Sequence, residues 1–438
     1  MGAAVSERGV FWAQGSSGYN GSALQSESRA AGSLIIDEQG HVGIDLEGQI
    51  VSSQRGFEGP TTIMGILKDG RFVCVVDARF SGQGSQAYGR LLQQKFDSTM
   101  VLIGEHEIQQ SLPDLQFDAL QCSLDGMEKW LELGAIEIEN IEGLFSARHR
   151  ELPEISYDVL NGKLSVVFQI LKPRFPQSRR SELTLKERAS IRVHLNVATN
   201  SDGILREHRS IHDFVILVSN VSFFAGWPRV KLAGCDHWYD LYSLKSDEGD
   251  EEASVGTMFA SFPSLRDKFG ALYNSWRQKG ESFRAGFYLY AASRRSSSMY
   301  EEHRFISIIW GLEAFHRVRW GGSRRTHLVD RLTSCIRAIP VDFEEHLLKD
   351  FCSSCVDLRN QLSHHGGEAN PMSYPAFIEK ILNRRLALEP LYHALILDEI
   401  GVESKTISDW ITNGPQSNIF RSLFFGAGLI GSECGMVK

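Results

Sequence analysis

The sequence predicts an α+β chain of more than one domain, in which a mainly antiparallel β region precedes an all-α helical bundle. Three observations carry this. Between about 33 and 244, short runs rich in β-branched residues alternate with Gly, Asp-Gly and Asn-Gly turn signals. From 255 to 412 the apolar residues instead recur with a helical period. Between the two, 245–254 is poor in apolar residues and dense in acid, as solvated linkers are.

In order, 1–32 is dominated by Gly, Ser, Ala and Gln and is expected to be a mobile tail. Strands are expected at 33–36, 61–67, 72–76, 164–171 and 190–197, with Lys68-Asp69-Gly70-Arg71 as a hairpin turn. Ser210-Ile211-His212-Asp213 resembles a capping box, and Phe214, Leu217, Val218 and Val221 follow it at helical spacing. Past the linker, Ser264 and Asp267 are placed to cap a helix with an apolar stripe of Leu265, Phe269, Leu272, Tyr273 and Trp276. Further helices are expected at 282–295, 300–319, 326–338, 343–365 and 374–400, packed antiparallel. The tail 413–438 is left unassigned, although 419–425 is apolar enough to dock.

The 438 residues are 42% hydrophobic and 23% charged, ample for buried cores. No stretch approaches the length of a membrane span, and the first thirty residues lack the apolar core of a secretory signal, so a cytoplasmic location without membrane association is expected. The opening Met1-Gly2-Ala3-Ala4-Val5-Ser6 fits the N-myristoylation pattern, which is short enough to match by chance. Seven scattered cysteines argue for reduced thiols. A net charge of −8 argues against a surface coated for non-specific nucleic-acid binding. The charge is uneven, however, because 255–412 holds 20 Lys or Arg against 18 Asp or Glu.

The chemistry centres on the helix that ends at Gly366-Gly367. At about 100° per residue, Phe351, Cys355, Leu358 and Leu362 form one narrow stripe, while Asn360 and His364 lie almost opposite it. The polar groups therefore face away from the bundle, and the long Arg359 side chain reaches their face. Such a set suits metal-free RNA cleavage. His364 titrates near neutrality and moves protons, Arg359 offers a fork of donors to phosphate, and Asn360 orients the imidazole or binds a phosphate oxygen. One His and one Arg are few for two proton transfers, so a second copy supplied by a homodimer or higher homo-oligomer is expected.

Arg359-Asn360-Gln361-Leu362-Ser363-His364 resembles the HEPN ribonuclease motif, an Arg, a polar residue and then a His. Trp310-Gly311-Leu312-Glu313-Ala314-Phe315-His316 is similar to the first long helix of the ApeA-like subgroup. Leu46-Glu47-Gly48-Gln49-Ile50 and Phe57-Glu58-Gly59-Pro60 are similar in texture to the N-terminal domain of ApeA anti-phage proteins. The resemblance implies an anti-phage, abortive-infection effector with an N-terminal domain that senses or regulates. It also implies an RNA endonuclease leaving 2′,3′-cyclic phosphate and 5′-hydroxyl ends, a composite site between two HEPN domains, and a phage-derived trigger. Glu313 is a supporting candidate, placed to pair with Arg359, and His365 is a spare proton donor or an ordinary neighbour of the glycine stop. Arg317, Arg319, Arg324 and Arg325 are candidates for RNA backbone, with Arg331 beside them.

Competing readings are weighed on the same residues. The spacing alone is a weak filter, since Arg188 to His194 and Arg206 to His212 also satisfy it, neither Arg being followed by Asn. Cys352-Ser353-Ser354-Cys355 is half a zinc site with no second half, so no metal is expected. Ser81-Gly82-Gln83-Gly84 lacks the strand and helix of a phosphate loop, so no cofactor is expected. The alternative function is a non-catalytic HEPN dimerisation module with a ligand-recognising β domain. A nucleotide-transferring enzyme would need an acidic metal pair that the sequence does not offer.

Overall fold

The computed structural model describes residues 3–13, 29–50, 60–86, 91–108, 115–141, 144–171, 185–245, 262–295, 299–321, 325–363 and 373–431. It is a mixed α+β structure, antiparallel β up to residue 243 and all-helical from 262 to 426.

Six strands close on themselves. β1 (Ala3–Ala13), β2 (Arg29–Asp37), β3 (Val42–Glu47), β4 (Thr61–Leu67), β5 (Phe72–Gln86) and β6 (Leu91–Ser98) pair antiparallel in the ring β1-β2-β3-β6-β5-β4. Inside sit alternate residues such as Phe11, Leu34, Ile36, Ile44, Ile63, Val73, Val75 and Phe96. The Lys68–Arg71 hairpin forms as expected, with Gly70 at φ +91° and the Leu67 amide donating to the Arg71 carbonyl at 2.8 Å.

The expectation of a mobile 1–32 is corrected at its front. β1 is paired on both sides, by β2 and β4, and of residues 4–13 only Phe11 and Trp12 are buried. Apart from Val5 and Val10 its other residues are polar or small, so the composition hides a strand held largely by its backbone hydrogen bonds. Residues 14–28 lie outside the described residues.

β5 is long enough to serve two sheets. Residues 79–86 pair with β6, whereas 72–76 pair with β7 (Met100–Gly104). Between these halves Asp77 adopts φ +52°, and Ser98 Oγ donates to the Val76 carbonyl at 2.5 Å where β6 hands over to β7. Ser81-Gly82-Gln83-Gly84 lies within this strand.

From β7 an open antiparallel sheet continues. It takes in β8 (Phe117–Asp125), β11 (Ile155–Val159), β12 (Gly162–Leu171), β13 (Lys186–Thr199), β15 (Arg229–Leu232) and β16 (Trp238–Ser243), in the order β7-β16-β15-β8-β13-β12-β11. The short α1 (Met127–Leu131), the hairpin β9 (Ile136–Ile141) with β10 (Leu144–His149), and β14 (Phe224–Ala225), which pairs with β8, complete this half.

α2 (Ser201–Ser219) covers the open sheet, and it starts earlier than the apparent capping box at Ser210 predicts. Asn200 is the true cap, its side chain accepting from the Gly203 amide at 2.9 Å. Gly203 is required there, since a Cβ would lie 1.8 Å from Thr199 Oγ1. That glycine in the first turn is also why the helix signal is weak. Ser210 to Asp213 sit in mid-helix, with Asp213 buried.

The helical half comprises α3 (Phe262–Leu265), α4 (Phe269–Phe283), α5 (Ala285–Arg295), α6 (Glu301–Arg319), α7 (Leu328–Arg337), α8 (Glu345–Ser363), α9 (Tyr374–Ile400), α10 (Ser404–Thr412) and α11 (Ser417–Gly426). A 3-10 turn, Arg266–Lys268, separates α3 from α4 where one continuous helix is expected from the sequence. α11 gives the unassigned tail a place, burying Phe420 and Phe424, the latter against Phe343 at 5.7 Å between ring centres.

The expected linker, 245–254, lies beyond Lys245 outside the described residues. It separates the two halves in sequence but not in packing. Phe269 of α4 meets Trp130, Tyr157 and Phe214 of the β half, and one apolar core runs from the open sheet through α2 into the helices. Among the described residues no helix is long and apolar enough to cross a membrane.

Candidate active site

α8 owes its place to one apolar face. Leu348, Phe351, Cys352, Cys355 and Leu358 are buried, and Leu362 is half-buried. Ser353, Asp357 and Asn360 are exposed on the other side, as the helical spacing predicts. Both thiols of the Cys352/Cys355 pair serve the core: burial pushes Cys352 up to about 11 and Cys355 well above the usual thiol range.

Arg359 is half-buried at the edge of this polar face. Its Nη1 donates to Asn360 Oδ1 at 3.1 Å, and its Nε is shielded with no protein partner. α8 ends at Ser363. His364 and His365, the candidates for proton transfer, lie outside the described residues, as does Arg324. The structure therefore brings Arg359 and Asn360 together at the last turns of α8.

Glu313 behaves differently from the expectation that it pairs with Arg359. Its Oε1 accepts from Arg317 at 2.6 Å, one turn along α6, and from the buried Arg331 of α7 at 3.0 Å. A guanidinium already inside the α6–α7 interface takes the carboxylate because the pair must neutralise itself there. Arg319 is likewise engaged, with Asp398 at 2.9 Å and Glu399 at 3.5 Å on α9. Arg317 and Arg325 are exposed. Of the four arginines proposed for RNA, Arg319 is thus a helix-packing residue.

Sequence reasoning missed the pairing of Tyr374 with Glu302, which ties the first turns of α9 and α6. Tyr374 Oη donates to Glu302 Oε1 at 2.6 Å, and this bond holds the Glu302 carboxyl below its usual range. No local pattern announces a contact between residues so far apart in the chain.

A family model described as ApeA N-terminal domain 1 matches residues 6–276. The match takes in the barrel, the open sheet, α2 and the first half of α4. No curated protein and no solved structure matches the chain. With well over half of its 438 residues covered from within β1 to within α4, the chain belongs to the ApeA N-terminal domain 1 family.

Proposed function

We propose that the protein is an anti-phage defence effector whose helical half is a metal-independent RNA endonuclease of the HEPN type, regulated by the ApeA domain in front of it. Membership of the ApeA family supports the defence role. The observation that carries the nuclease reading is the Arg359–Asn360 hydrogen bond on the exposed end of α8, one turn before His364 in the chain.

In this reading His364 takes the proton of the 2′-hydroxyl as that oxygen attacks the phosphorus. The bond to the 5′-oxygen breaks, and a second proton-bearing group, His364 of another copy in a homodimer, protonates the leaving oxygen. Arg359 neutralises the phosphoryl oxygens as charge builds on them. Asn360 holds the Arg359 fork in place, as its bond to Nη1 does here. The products are a 2′,3′-cyclic phosphate and a 5′-hydroxyl.

The test compares wild type, Arg359→Ala and His364→Ala in bacteria challenged with phage, reading survival and RNA integrity beside folding and oligomeric state. Joint loss of protection and cleavage in both folded variants supports the nuclease. Full activity in both removes it and leaves a non-catalytic binding module.

A further inference from the structure

A second site lies in the β half, remote in sequence from α8. Between α2, the β14 region and the end of β16 is a cavity of about 120 Å³, room for one ring system and well short of a drug-sized pocket. Two polar atoms in its lining lack protein partners although both are shielded from solvent: His208 Nε2 and Ser222 Oγ. Buried polar atoms are rarely left so without a reason.

The chemistry of His208 says what it lacks. Burial holds the imidazole neutral, down to about 4, so one ring nitrogen carries a proton and the other is an acceptor. His208 Nε2, shielded and without a protein partner, is left to pair with an outside group, as acceptor or as donor according to the tautomer. Ser222 Oγ adds a group able to donate or accept.

Around these atoms stand aromatic faces and cations. Lys245 Nζ rests 3.8 Å from the Trp227 ring centre and 4.8 Å from that of Phe224. The indole is fixed, its Nε1 donating to the Ser243 carbonyl at 2.9 Å. Among the described residues no carboxylate lies within ion-pair distance of Lys245 or of Arg209, and both line the cavity. Arg295 also lines it but is paired with Asp213.

A polar edge, a flat ring and an anion together match this lining. We propose that the cavity binds the base of a mononucleotide, held against Trp227 with its polar edge on His208 Nε2 and Ser222 Oγ, while the ribose and phosphate stay at the cavity mouth, the phosphate on Lys245 and the exposed Arg209. The Lys245 ammonium leaves the aromatic rings for the phosphate. Because Arg295 borders the same space and holds Asp213, the occupant touches the ion pair that joins α5 to α2.

The test is calorimetric titration of the full chain with AMP, GMP, CMP, UMP and inorganic phosphate. The expected result is saturable one-site binding of at least one mononucleotide, weakened about tenfold or more by Trp227→Leu and by Lys245→Ala, in line with loss of a charged hydrogen bond. Arg209→Ala, at an exposed position, provides a variant expected to fold normally and to show the same loss. Arg359→Ala is expected to bind as wild type, which separates this site from α8. The proposal is overturned if no mononucleotide binds at millimolar concentration, if Lys245→Ala and Arg209→Ala, both folded, bind undiminished, or if inorganic phosphate binds as tightly as every nucleotide.

Discussion

Arg295, at the last turn of α5, forms a largely buried ion pair with the buried Asp213 in the middle of α2, so a guanidinium of the helical half neutralises a carboxylate beneath the β half. Beside it, Tyr290 Oη donates to Asn220 Oδ1 at 2.5 Å and Arg294 Nη2 to the Asn220 carbonyl at 2.9 Å. His393 of α9 bonds the Leu217 carbonyl. α2 is thus held at its C-terminal end by α5 and α9.

Removing one partner of the buried pair leaves the other charge uncompensated. Asp213→Asn is expected to destabilise the chain by about 3 to 5 kcal/mol. Denaturant unfolding of the two single variants and the double variant Asp213→Asn/Arg295→Met measures it. The double variant should recover much of the loss, and equal, additive losses would show that the pair does not act as a unit.

Acid should weaken the fold before the carboxylates titrate. Burial lowers His208 to about 4 and His393 to about 3, against about 6.5 in an unfolded chain. Above pH 6.5 both forms are neutral. Between about 6.5 and 4 the unfolded chain takes up protons that the native chain refuses, so stability falls as the pH falls. Melting temperatures across that range should drop, and His393→Gln, which removes one titrating group but keeps a donor, should flatten the slope.

At Gly311, α6 lies against the Tyr392 side chain of α9. A Cβ there would lie 2.2 Å from Tyr392 Oη, which donates to the Gly286 carbonyl at 2.6 Å. Gly311→Ala is expected to cost about 1 to 3 kcal/mol through overpacking, and Tyr392→Phe in the same chain should return part of it. Gly426→Ala in α11, where a Cβ meets nothing within 4 Å, should be neutral or slightly stabilising. Thermal unfolding of the three variants distinguishes the cases.

Thiol labelling should pick out one of the six described cysteines. Cys74, Cys122, Cys335, Cys352 and Cys355 are buried, and burial pushes their thiols up. Cys235 is half-buried. Peptide mapping after a short exposure to a thiol reagent should find Cys235 modified well before the other five. Equal labelling of Cys352 or Cys355 in native protein would contradict the packing of α8.

Much of this architecture was legible where one element's own pattern decides it. The helices expected at 300–319, 326–338, 343–365 and 374–400 correspond closely to α6, α7, α8 and α9, because each buries a stripe its own spacing announces. The outward face of α8, with Ser353, Asp357 and Asn360, was legible for the same reason. β1 was not, since a strand clasped by two neighbours needs little apolar character of its own. Nor were the partners of Glu313 and Arg319, whose choice depends on which helices lie alongside. The β-half cavity was hidden too: His208 and His212 share a face of α2, but Ser222, Trp227 and Lys245 join them only through the folded sheet.

The shared strand β5 has a consequence for how the β half comes apart. A barrel and a sheet with separate edges unfold as separate units, each at its own rate. Here the amides of 72–76 and 79–86 belong to one continuous strand, so fraying that starts in either layer removes the template of the other. In native-state hydrogen exchange the two stretches should open together and with the same denaturant dependence, as one cooperative foldon.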